Sequence, residues 1–118
     1  MKIRVNGNSV RLRLAPNEVS ELVQTGNVSD VCYFPNGNFT YGVRATSTSK
    51  MNASFVNGYI SIHIPDTQLK GWDENDKVGF EHTTPEGLFI LVEKDFKCLQ
   101  PRKHENESHL YENPIVSK

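Results

Sequence analysis

Apolar and polar residues alternate with a period of two along much of the chain, and short runs of Asn, Gly and Pro interrupt the alternation at intervals. That combination predicts a succession of β-hairpins. In KIRVNGNSVRLRL, residues 2–14, a Gly7-Asn8 loop sets Val5 opposite Val10 and Ile3 opposite Leu12, leaving Arg4 opposite Arg11 and Lys2 opposite Arg13. One face is then apolar and the other basic. The competing Asn6-Gly7 loop would set Val5 against Asn8 and leave Leu14 without a partner, so the first register is preferred.

A second hairpin is predicted at Asn36-Gly37, with Phe34 against Phe39 and Cys32 against Tyr41, which makes Cys32 a small core residue. A third turns at Asn57-Gly58. It sets Phe55 with Ile60, Ala53 with Ile62 and Met51 with Ile64 inside, and Ser54 with Ser61 and Asn52 with His63 outside, where His63 faces solvent. In the last, Pro85-Glu86-Gly87 fits a type I turn closed by a glycine bulge. The run from Leu88 to Val92 is apolar at every position and suits a central strand.

Two stretches break the period of two. APNEVSELVQTG offers Pro16 at a first helical position, Val19, Leu22 and Val23 at helical spacing, and Gly26 as a stop. PDTQLKGWDENDK places Asp66 to cap a short helical turn containing Leu69 and Trp72, the latter a lid over one end of the core. The expected fold is α+β: about eight mostly antiparallel strands in four hairpins, forming a bent sheet or a partly closed barrel, with one or two short helices. Residues 1–99 form a single globular domain, and the polar, charged stretch 100–118 reads as a flexible C-terminal tail.

Composition narrows the function classes. A chain of 118 residues is long enough to bury one core without disulfides or metal. No apolar run approaches the ~20 residues of a membrane span, and the start of the chain lacks the apolar stretch of a signal peptide. With only Cys32 and Cys98 as thiols, a cytoplasmic location is expected. The net charge of −1 is unevenly spread: residues 1–65 carry +3 and residues 66–118 carry −4, so the two parts can neutralise each other.

The basic face of Lys2, Arg4, Arg11 and Arg13 is the first candidate site, because like charges opposite one another on paired strands need compensation. Glu81, Glu93, Asp95 or the tail can supply it from within; otherwise the face meets an anionic ligand or an acidic partner. The slightly acidic chain, and a ribbon without exposed aromatics to stack bases, argue against nucleic acid. A second candidate is Cys98 with His104 and His109, residue types that zinc accepts, but Cys-x5-His-x4-His matches no zinc signature. Phosphate-loop, dinucleotide and hydrolase motifs are missing, and no cofactor is implied.

Taken in order, MKIRVNGNSVRLRL followed by NEV, then W and DKVGFE, then GLFILVEKDFKCL and a tail with ENP resemble a family of small uncharacterised bacterial proteins, a domain of unknown function. The resemblance covers most of residues 1–114. It is carried by the stretch around Lys94, Asp95, Phe96, Cys98 and Leu99 and by an acidic tail, and not by the tail histidines. It implies no activity, cofactor or partner. The expected function is therefore a non-enzymatic binding or interaction protein, with a protein partner or a homo-oligomer and no membrane. The competing class is a small metal- or thiol-dependent enzyme using Cys98 with a histidine.

Overall fold

The computed structural model describes residues 1–96, in which eight strands and two short helices are arranged as two four-stranded sheets. In chain order these are β1 (Lys2–Val5), β2 (Ser9–Leu14), α1 (Pro16–Thr25), β3 (Asn27–Phe34), β4 (Gly37–Thr46), β5 (Asn52–Val56), β6 (Tyr59–Pro65), α2 (Asp66–Leu69), β7 (Gly79–Thr83) and β8 (Phe89–Lys94). The first sheet has the order β1-β2-β8-β7 and the second β3-β4-β6-β5. The α+β class and the four hairpins are as expected. The single bent sheet or partly closed barrel is not: two separate sheets form, and neither closes on itself.

Each sheet is made of two hairpins joined by a parallel pairing of their second strands, β2 with β8 and β4 with β6. A duplication follows from this. The order β5-β6-α2-β7-β8 repeats β1-β2-α1-β3-β4, and exchanging the two halves maps one sheet onto the other. The correspondence extends to single backbone bonds. The Phe89 N–H donates to the Asn8 carbonyl at 3.0 Å, as that of Thr40 does to Gly58 at 2.9 Å; Lys94 to Val78 repeats Ala45 to Gly26, both at 2.9 Å.

Local chemistry sets the hairpins. The first has the register the alternation predicts, from Lys2 opposite Arg13 to Val5 opposite Val10. The third does too, with Asn57 (φ 52°) and Gly58 (φ 76°) in the left-handed region that such a tight turn requires. The second differs. Its loop is Pro35-Asn36, so Phe34 lies opposite Gly37 and Cys32 opposite Phe39. Proline holds φ near −65° at the first loop position, which a turn with negative φ accepts, and neither Asn36 nor Gly37 has a positive φ.

α1 starts at Pro16 and is capped after Thr25 by Gly26, whose φ of 83° lets its N–H reach the Leu22 carbonyl at 2.8 Å. The Glu18 carboxylate accepts the Ala15 N–H at 2.8 Å and faces the Met1 ammonium at 2.7 Å, tying the start of β1 to the helix. In α2 the cap is Pro65 and Asp66 is the first helical residue, without a side-chain capping bond. The capping role expected of Asp66 is not found, because the chain turns into the helix one residue earlier, directly from β6.

One core fills the space between the sheets and under the helices. Leu12, Leu14, Ile90 and Val92 of the first sheet, Val43, Ile62 and Ile64 of the second, and Leu22 of α1 are all fully buried. So is Trp72, whose Nε1 donates to the Lys77 carbonyl at 2.8 Å and whose ring meets Phe80 edge-on at 4.9 Å. Burial falls off toward the hairpin tips of the second sheet, which project past this core. Phe55 and Cys32 point inward by alternation yet are exposed, contrary to their expected core positions.

Gly42 in β4 leaves no room for a side chain against β3: a Cβ there would lie 2.5 Å from the Val28 carbonyl oxygen and 2.7 Å from Ser29 Cβ. Gly42→Ala is expected to cost about 1–3 kcal/mol through strand separation. A lowered urea midpoint with unchanged slope is the expected reading, and an unchanged midpoint would show that the two strands part there freely.

Candidate functional site

The alternation that sends Val10, Leu12 and Leu14 into the core sends Arg11 and Arg13 to the outer face of the first sheet. Lys2 and Arg4 join them from β1 through the hairpin register. The parallel register sets Glu93 of β8 beside Arg13. Its Oε2 accepts the Arg13 Nε–H at 2.9 Å and lies 3.6 Å from Arg11 Nε, while Lys2 Nζ is 3.1 Å from Asp95 Oδ2. Two of the carboxylates expected to compensate the ribbon from within therefore do so. Arg4 forms no ion pair among the described residues. A shallow groove of about 170 Å³ runs between Lys2, Ile3, Arg4, Arg11 and Arg13.

The outer face of the second sheet carries features that sequence reasoning missed. Here the register lines up Ser29, Gly42, Ser61 and Ser54 across four strands, a row without long side chains. The neighbouring row is Asn27, Arg44, His63 and Asn52. A groove of about 570 Å³ lies over this face, with Arg44, Ser54, Ser61 and Tyr59 in its lining. Nothing local to residue 44 signals a site, since its neighbours in space come from β3 and β6.

His63 was expected to face solvent. It is on the outer face but only partly exposed, and its Nε2 is sealed from water without a hydrogen-bond partner. Burial first, and then the Arg44 guanidinium, push its pKa below the usual histidine value. Tyr41, whose hydroxyl reaches the Met1 carbonyl at 3.4 Å, is pushed up by burial and then by Asp30, Cys32 and Glu18.

The remaining candidates are elsewhere. His82 is half-buried on the face it shares with Phe80 and Ile90. Cys98, His104 and His109 lie outside the described residues, as does the stretch 100–118. Among the described residues no group of three His, Cys, Asp or Glu could hold a metal ion, and no helix is long and apolar enough to cross a membrane.

A family model described as a family of unknown function, DUF7009, matches residues 1–115. No curated protein and no solved structure matches the chain.

The depressed pKa of His63 has a consequence for stability. The unfolded chain takes up this proton near the ordinary histidine pKa of about 6.5, and the folded chain only at lower pH. Stability from the neutral imidazole is thus full above the unfolded value and is lost as pH falls toward the folded one. His63→Gln is expected to lose less stability than the parent between pH 7.5 and 5 when both are unfolded in urea. Parallel losses would show that the imidazole is freely hydrated.

Proposed function

The chain belongs to that family, and because the family brings no activity with it, we propose a function from surface chemistry alone: a non-enzymatic interaction protein of the bacterial cytoplasm that docks an acidic protein surface on the outer face of its first sheet. The observation that carries this reading is the imbalance on that face. Lys2, Arg4, Arg11 and Arg13 share only Glu93 and Asp95 as ion-pair partners among the described residues, and Arg4 has neither. Lys2 is exposed over 73 % of its side chain, and Arg13 over 44 %, so the pairs are open to exchange for carboxylates of a partner.

The pairing with Glu93 has a second effect. It occupies Arg11 and Arg13 until a partner's carboxylates displace Glu93, so the internal pair competes with docking. Electrostatic contacts of this kind speed encounter and weaken with salt. The cytoplasmic assignment rests on a chain with two cysteines in all, too few for a disulfide framework.

The test is fluorescence anisotropy with a labelled octaglutamate peptide at low and physiological salt. Arg4→Ala with Arg11→Ala is expected to weaken binding at least fivefold, and Glu93→Gln, which removes the internal competitor, to strengthen it. Equal affinity for the parent and the double variant would overturn the reading.

A further inference from the structure

We propose that the outer face of the second sheet is a binding site for a small oxyanion-headed ligand, an organic phosphate or carboxylate, held by Arg44 and Ser61 with Ser54 and His63 beside them. The duplication relates this face to the basic one. On the first sheet Arg13 and Arg11 close on the carboxylate of Glu93. Exchange of the halves puts His63 in the place of Arg13, Ser61 in that of Arg11 and Arg44 in that of Glu93. A guanidinium therefore stands where its counterpart sheet has the carboxylate. Among the described residues Arg44 forms no ion pair, and it is the charged group that, after burial, pushes the His63 pKa down.

The space for an anion comes from the same comparison. The row Arg4, Arg11, Leu91 and Glu81 on the first sheet becomes Ser54, Ser61, Gly42 and Ser29 on the second. Loss of the long side chains opens a groove of about 570 Å³, against about 170 Å³ on the basic ribbon. That volume suits a small organic molecule and exceeds the needs of a bare ion.

One polar atom on this face is buried without a partner, and a neighbouring hydroxyl lines the groove. Ser61 is only 8 % exposed and lines the groove. His63 Nε2, one residue pair from Ser61 along the same face, is sealed and has no partner. Buried polar groups are ordinarily satisfied, and a face that offers guanidinium and hydroxyl donors, with no carboxylate among the described residues of its rows to receive them, is the donor set of an oxyanion site. Tyr59 and Val56 at the far end of the groove add apolar contact for the body of the ligand.

The experiment is a titration of the ¹⁵N-labelled full chain with inorganic phosphate and, separately, with acetate, followed by NMR at constant ionic strength against sodium chloride. Saturable shifts at Arg44, Ser54, Ser61 and His63 are expected, with a rise in the His63 titration midpoint when the anion is bound. Saturation by phosphate alone assigns a phosphate ligand, and saturation by acetate as well extends the class to carboxylates. Arg44→Gln should weaken binding at least tenfold, whereas Arg4→Ala with Arg11→Ala should leave it unchanged, which separates this site from the basic ribbon. If Arg44→Gln fails to fold, Ser61→Ala decides, with at least threefold weakening expected. The proposal is overturned by shifts no larger than those with chloride, by shifts confined to the first sheet, or by variants that bind as the parent does.

Discussion

The parallel pairing of β2 with β8 and of β4 with β6 is the constraint on which everything else rests. A parallel pair cannot be closed by a tight turn, so each of these contacts joins strands separated by other elements of the chain. In the first sheet residues 9–14 meet residues 89–94. Neither half of the chain therefore completes a sheet: each contributes one hairpin to each layer, and the core forms only when both halves are present. The helices serve this arrangement, with Val19 and Leu22 from α1 and Leu69 from α2 packed into the shared cluster.

Interior and exterior have diverged to different degrees across the duplication. Inward positions correspond in kind: Leu12 with Ile62, Leu14 with Ile64, Val92 with Val43. Leu22 and Trp72 are both fully buried, although they differ greatly in size. A close-packed interior tolerates apolar exchanges that keep overall volume and pattern. Outer faces have no such restraint, and there one layer is rich in cations with acids between them while the other is a hydroxyl-lined trough beside Arg44 and His63. The two faces offer different chemistry from a single architecture.

Much of this is legible in the order of the amino acids. The first and third hairpins can be read to the residue because alternation picks the face and turn chemistry at Asn and Gly picks the register. The second defeats the same reading for a local reason, since Pro35 dictates a different loop from the one Asn36-Gly37 suggests. Phe55 and Cys32 defeat it for a global one: alternation assigns their faces, but it carries no information on where the opposing layer ends. Likewise the basic ribbon can be drawn from residues 2–14, whereas the Arg44 groove cannot, because its walls come from four strands.

By itself, then, the sequence determined the hairpins, the helix limits at Pro16 and Gly26, the inward set of aliphatic residues and the clustering of Lys2, Arg4, Arg11 and Arg13. These depend on interactions between near neighbours in the chain, where turn geometry and side-chain alternation leave few choices. Only the tertiary structure decided which hairpin lies beside which, that Glu93 neutralises Arg13 from 80 residues away, and that Arg44 stands next to His63 rather than an acid. Strands of similar pattern are interchangeable until helices and layers pack, so the choice among them belongs to the closing of the core.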